Sequence, residues 1–198
     1  MITTHDLLNA YAQGYFPMAK SREDPELFWF YPEERGVIPL DGFHLPKKLQ
    51  KFLRKHPFTV TLNHDFAGVI HGCATAREDT WINPEIERLY TEMHQIGHAH
   101  SVECWREGRL VGGLYGISLG GAFFGESMFS RETGASKVAL AYLVKWLNNA
   151  GYTLLDTQYV NDHLLQFGVQ EIPRKAYLQR LAAALPLTPK HLHEIVMI

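Results

Sequence analysis

The chain has 198 residues, 46% of them apolar and 20% charged, a composition that excludes disorder, collagen and whole-chain coiled coil. Its 19 basic and 21 acidic residues leave a net charge of −2, so attraction for a polyanion has to come from a local cluster of Lys and Arg rather than from overall charge. At ~150 residues per domain, the length fits one full domain with a smaller appendage. Cys73 and Cys104 lie in no partner motif, so neither a disulfide framework nor a four-ligand zinc site is supported. The first ten residues lack the basic and apolar regions of a secretory signal, and no stretch approaches ~20 apolar residues. The expectation is a soluble cytoplasmic protein with no membrane segment.

In chain order, Thr3 or Thr4 caps a helix over about 4–13 that carries Leu7, Leu8 and Tyr11 and stops at Gly14. Residues 15–40, with Pro17, Pro25, Pro32 and Pro39 among clustered aromatics, read as extended segments and turns, and residues 1–40 as a small N-terminal domain ahead of a main domain over 41–198. Pro46 opens a helix in which Leu49, Phe52 and Leu53 form one stripe and Lys47, Lys48, Lys51, Arg54 and Lys55 fill the rest. No other segment is so densely basic. Residues 58–62 alternate like a strand, and Asp65 caps a helix bearing Phe66, Val69 and Ile70.

Asn83 and Pro84 open a helix with Ile86, Leu89, Tyr90 and Met93 on one face, closed by Gly97. Three strand-like runs follow over 101–105, 110–118 and 122–128, divided by Glu107-Gly108 and Gly120-Gly121 and forming an antiparallel meander. A helix over 136–150 and a strand over 152–158 come next, and Gly168 and Pro173 punctuate a final helical stretch through Leu185. Meander, helix and strand together predict an α+β fold, with a mixed sheet and a crossover helix in the manner of acyltransferases.

Candidate chemistry concentrates in two places. Period-two geometry puts Asp156 and Gln158 on one face of a strand end, where a Gln carbonyl can accept from a substrate amine and a neighbouring carboxylate can fix the amide; a pair that merely caps the next turn is the plainer reading. Residues 120–128, with Phe123, Phe124, Glu126 and Met128, suit an apolar pocket with one carboxylate, or else a buried strand. His94, His98 and His100 lack the spacing of a metal site and read as capping or packed histidines. No G-x-S-x-G motif is present. Gly112, Gly113 and Gly116 sit inside a strand-like run, which suits close backbone approach or a bulge better than a phosphate cradle.

The stretches AYAQGYFPM (10–18), FWFYPEERGVIPL (28–40), HAHSVECW (98–105), LVGGLYGISLGGAFFGESMFSRETGASKVAL (110–140), LDTQYVNDHL (155–164) and IPRKAYLQRL (172–181) resemble the bacterial leucyl/phenylalanyl-tRNA–protein transferase family over nearly the whole chain. The resemblance implies a GNAT-like acyltransferase domain behind a small N-terminal domain. It also implies transfer of Leu or Phe, less readily Met, from aminoacyl-tRNA to proteins that begin with Arg or Lys, which marks them for N-end-rule degradation. Neither acetyl-CoA nor a metal is implied.

Carried over by motif, Asp156 and Gln158 resemble the family's catalytic pair. Glu126, Met128, Phe123, Trp81, Tyr90, Leu114, Trp29 and Asn161 resemble substrate-binding positions. The helix with Lys47, Lys48, Lys51, Arg54 and Lys55 resembles the surface that receives the tRNA acceptor stem. The chain departs from the family in a shortened N-terminal segment, in Thr157 where Cys is frequent, and in Phe167 and Val169, expected to reshape the pocket. A CoA-dependent or peptidoglycan-precursor acyltransferase and a non-catalytic RNA-binding module are the alternatives. A monomer is the default expectation, since no exposed apolar helix demands a partner.

Overall fold

The computed structural model describes residues 2–190; residue 1 of the expected 1–40 unit and residues 191–198 of the expected 41–198 unit lie outside the described residues. Helix α1 (Thr4–Ala12) opens with a capping box, in which the Thr3 hydroxyl accepts from the Asp6 N–H and the Asp6 carboxylate accepts from the Thr3 N–H. Strands β1 (Phe16–Met18) and β2 (Phe28–Phe30) form a two-stranded antiparallel ribbon. After them come β3 (Glu34–Ile38), α2 (Lys47–Leu53), β4 (Thr59–Leu62), α3 (Phe66–Thr75), α4 (Pro84–Gln95), β5 (Ala99–Arg106), β6 (Arg109–Leu119), β7 (Ala122–Ser130), α5 (Ala135–Ala150), β8 (Leu154–Gln158), α6 (Asp162–Leu165), β9 (Gln170–Pro173) and α7 (Arg174–Ala184).

Seven strands make one sheet in the order β4-β5-β6-β7-β8-β3-β9. All of its pairings are antiparallel except β7 with β8, which α5 connects as a crossover, so the sheet is mixed and the fold is α+β. Each face carries its own core. On one face Leu7 and Tyr11 of α1, Val69 and Ile70 of α3, Ile86 and Leu89 of α4 and Leu181 of α7 pack together. On the other, Leu49 of α2 and Val138, Leu143 and Leu147 of α5 do the same. Burying each such side chain stabilises the fold by ~1.5–3 kcal/mol. Among the described residues, no helix is long and apolar enough to cross a membrane.

Helix α4 shows how local signals and packing agree. The Asn83 side chain accepts from the Ile86 N–H at 2.8 Å, Pro84 occupies the first turn, and Gly97 ends the helix at φ +84°. Three features differ from the sequence reading. Strand β3, which a boundary at residue 40 would leave in the small N-terminal domain, is an inner strand of the main sheet between β8 and β9. The segment before α7 holds α6 and β9 rather than continuous helix, and α7 starts only at Arg174 because Pro173 ends β9. The expected strand over 152–158 begins at Leu154, since Tyr152 and Thr153 complete the turn out of α5 through Tyr152 N–H to Leu147 O and Thr153 N–H to Gly121 O.

Candidate active site

Strands β7 and β8 pair from Ala122 opposite Leu154 as far as Phe124 opposite Asp156, and the ladder stops there. Beyond that point a cavity of about 820 Å³ is lined by residues 125–130 on one side and 157–159 and 161–164 on the other. Helix α5 closes a further wall through Ser136, Lys137 and Leu140. Its approach depends on Gly112, where a Cβ would stand 2.4 Å from the Cβ of Ala135, the close backbone contact expected of that glycine.

Glu126 is the extra residue of a β-bulge, because Tyr115 pairs with Ser127 while Gly116 pairs with Gly125. Such a bulge re-aims the side chain it carries. Here the Glu126 carboxylate lines the cavity and gathers three donors: Oε1 accepts from the Tyr11 hydroxyl at 2.7 Å and from Gln158 Nε2 at 3.2 Å, and Oε2 from the Tyr90 hydroxyl at 3.3 Å. The two tyrosine hydroxyls also bond to each other. Burial pushes the Glu126 carboxyl up to about 8, and the Tyr11 hydrogen bond offsets part of that rise. The phenols of Tyr11 and Tyr90 are driven well above their ordinary value by burial and by the adjacent Glu126.

Behind Gln158 lies a second, fully buried cluster. Asp156 is 0% exposed, and its carboxylate accepts from Arg35 Nε at 3.0 Å, Arg35 Nη2 at 2.7 Å and the Tyr177 hydroxyl at 2.8 Å. Arg35 donates its remaining arm to Gly14 O at 2.8 Å and is flanked by the rings of Phe16 and Tyr177 at 4.6 and 4.5 Å. Burial works against the guanidinium charge, and Asp156 beside it outweighs the burial.

Among the described residues, no hydrogen bond joins the Asp156 and Gln158 side chains directly. Gln158 has φ +56°, which breaks the strand alternation and turns its amide toward Glu126, while its backbone N–H donates to Asp156 Oδ1 at 2.8 Å. The carboxylate that orients the Gln158 amide is therefore Glu126, and Asp156 acts on the backbone of the turn. Thr157 lines the cavity beside Gln158.

Of the expected substrate-binding residues, Glu126, Met128, Trp81, Leu114 and Asn161 line the cavity. Asn161 also caps α6, accepting from the Leu164 N–H at 3.0 Å. Tyr90 does not line the cavity itself and meets the site through Glu126, Tyr11 and the edge of the Tyr115 ring. Phe123 is buried in the core on the α5 face rather than in the cavity wall, and Trp29, 41% exposed on β2, does not line the cavity either. Phe167 stacks on Phe43 within that same core, and neither it nor Val169 lines the cavity, so the expected reshaping is not seen.

Tyr11, Arg35 and Tyr177 were invisible to spacing arguments, because each reaches the site from a distant element. His94, His98 and His100 are engaged by Ala99 O, Ser118 O and the Ser118 hydroxyl, and Cys73 and Cys104 are buried thiols pushed up to about 12 by that burial. Lys47, Lys48, Lys51, Arg54 and Lys55 are all exposed on or just beyond α2. That helix adjoins the cavity rim, since the Phe52 ring stands 3.0 Å from where a Cβ on Gly134 would be.

A family model described as leucyl/phenylalanyl-tRNA protein transferase matches residues 37–182, and a model of the N-terminal domain of the same transferases matches residues 1–33. A leucyl/phenylalanyl-tRNA–protein transferase from Ruegeria sp. (strain TM1040) is 59% identical over 179 residues, covering 90% of this chain and 85% of the relative. One from Rhodopseudomonas palustris (strain HaA2) is 58% identical over 187 residues, covering 93% and 84%. Among solved structures, a ribosomal-protein-alanine N-acetyltransferase from Brucella melitensis biovar Abortus 2308 aligns with TM-score 0.39 and 18% identity over 61% of this chain and 89% of its own.

Proposed function

Because the chain belongs to the leucyl/phenylalanyl-tRNA–protein transferase family and is thus an aminoacyltransferase, we propose that it moves Leu or Phe, and less readily Met, from aminoacyl-tRNA to proteins whose first residue is Arg or Lys. The product carries a new N-terminus that marks it for N-end-rule degradation. A substrate of charged tRNA puts the reaction in the cytoplasm.

One observation carries this reading: Gln158 and Glu126 are hydrogen-bonded to each other where β7 and β8 part, at the wall of a cavity large enough for an aminoacyl nucleoside. With Nε2 held by Glu126, Gln158 presents its carbonyl oxygen to the attacking α-amine. The amine nitrogen forms a bond to the ester carbonyl carbon, the ester C–O bond breaks, and the tRNA ribose oxygen leaves as a hydroxyl. An amide has no useful basicity, so Gln158 orients the amine and does not deprotonate it. Glu126 takes the proton from the amine and hands it to the departing ribose oxygen. Its value of about 8 lies beside the ~7.7–8.0 of a free α-amine, so the transfer is nearly balanced at working pH. Asp156 fixes the backbone turn that places Gln158.

Met128 and Leu114, opposite each other on β7 and β6, supply the apolar wall for the transferred side chain. An apolar pocket separates side chains by only ~1–3 kcal/mol per methylene, consistent with acceptance of Leu, Phe and some Met. The exposed cations of α2 take the acceptor stem through its phosphates.

The test is transfer of radiolabelled Leu, Phe and Met from charged tRNA to peptides that begin with Arg, Lys or Ala. Label on the Arg and Lys peptides, with none on the Ala peptide, is expected. Equal labelling of all three removes the acceptor rule, and absence of transfer despite tRNA binding favours the RNA-binding module.

A further inference from the structure

Three nitrogen-bearing side chains, from two helices and the loop after a third, meet in the cavity, and none takes part in the Glu126 network. Arg77 follows the end of α3, Lys137 stands in the first turn of α5, and His163 belongs to α6; all three line the cavity. Among the described residues, Arg77 has no ion pair or hydrogen bond, and Lys137 donates only to the uncharged amide oxygen of Gln166 at 3.1 Å. The Nε2 atom of His163 is buried without a partner.

The three are close enough to act on one another. Burial, then Lys137, then Arg77 hold the His163 imidazole below its ordinary pKa, and no carboxylate counters them. Asp162, the next residue in the chain, also lines the cavity but is exposed and makes no ion pair among the described residues. Converging cations with an unpaired buried donor and no counter-ion of their own lack an anion.

The surroundings say which anion. The exposed cations Lys51 and Arg54 lie on and beside α2, which meets the cavity rim through Phe52 and Gly134, and Gly134 leads directly into the turn that carries Lys137. Positive charge therefore runs from the outer surface of α2 over the rim and into the cavity, ending at Lys137 and Arg77 beside the neutral His163. That is the footprint of a polyanion whose last unit enters the pocket.

We infer that Arg77, Lys137 and His163 form a subsite for a phosphate group, filled in the reaction by the phosphodiester phosphate that precedes the aminoacylated adenosine of the donor. Lys137 and Arg77 contribute charge, and His163 contributes a hydrogen bond from Nε2 as a neutral imidazole. The inference rests on the donor reading given above. It assigns these residues to holding the end of the tRNA, separately from the groups at the reacting carbonyl.

The deciding measurement is calorimetric binding of a hydrolysis-resistant amide analogue of 3′-phenylalanyl-adenosine, with and without a 5′-phosphate. The phosphorylated analogue is expected to bind wild type about 10–100-fold more tightly, as charge-assisted hydrogen bonds to one phosphate allow. In Arg77→Gln/Lys137→Gln that ratio should fall toward one, and in His163→Phe it should fall part of the way, with thermal unfolding reporting that each variant is folded. Equal affinity of wild type for the two analogues overturns the subsite and leaves the donor reading standing. A ratio that survives in the double variant overturns it as well, and failure of wild type to bind either analogue overturns both readings together.

Discussion

Gln158 Nε2 donates to Glu126 Oε1 at 3.2 Å across the gap between two parallel strands that have just ceased to pair. The bond decides which end of the amide meets the substrate, because the nitrogen is engaged and the oxygen is left to accept. Gln158→Ala is expected to lower kcat by roughly 10²–10³-fold, the usual loss on removing one aligned hydrogen-bonding group at a reacting centre. Affinity for charged tRNA, measured by filter binding, should stay within about twofold if tRNA contacts lie elsewhere. Parallel losses in kcat and affinity would place Gln158 in tRNA binding instead.

Glu126 sets the pH dependence. With its carboxyl at about 8, the proton-accepting form appears as pH rises, so kcat/KM should climb through that value together with the titration of the substrate amine, and Glu126→Gln should leave only the inflection of the amine and lower the plateau. Stability runs the other way. The folded chain keeps a proton that the unfolded chain releases above the ordinary 4.5, so this contribution is complete below 4.5 and is lost as pH rises to about 8. Urea midpoints of wild type relative to Glu126→Gln should fall across that window and level off above it. A pH-independent difference would show that Glu126 does not titrate there.

Arg35 and Asp156 form a buried pair, 2% and 0% exposed. Arg35→Met leaves the carboxylate uncompensated and is expected to cost about 3–5 kcal/mol in urea unfolding. Arg35→Lys keeps the charge but not the two-pronged grip, so it should fall between Met and wild type. If Lys matched wild type, bidentate geometry would play no part in holding β8.

Leu114 and Met128 face each other across β6 and β7 in the cavity wall. Leu114→Trp fills part of the space and should reduce use of Phe relative to Leu by about tenfold in a competition between the two charged tRNAs. An unchanged ratio would remove this wall from side-chain selection.

The cations of α2 should be visible in salt dependence. Lys51→Ala and Arg54→Ala are each expected to weaken tRNA binding and to reduce the slope of log K against log salt by about one. A slope unchanged in the double variant would mean that the acceptor stem lies elsewhere.

What could be read from the chain was what neighbours in sequence decide. Helix α4 was legible because Asn83-Pro84, the four-residue apolar stripe and Gly97 all act within one element. The hairpins were legible too, since Glu107, Gly108 and Gly120 take the positive φ their turns require. Strand β3 was not, because its five residues carry no sign that their partners are β8 and β9. Nor was the direction of Gln158: period-two reasoning holds only while the backbone stays extended, and this residue does not. Tyr11, which reaches Glu126 from 115 positions away, had no local signature at all.

The placement of β3 also orders events during synthesis. Arg35 and Asp156 are 121 positions apart, and Tyr177 lies a further 21 along the chain. Until β8 has been made, the N-terminal strand has no inner neighbour to join, and closing so long a loop delays folding. A nascent chain can therefore assemble its meander and α3–α4 layer early yet still lack a working centre, because the anchor of Gln158 waits for the last strands and helix. Acquisition of activity should thus be a late, cooperative step that couples the two ends of the polypeptide.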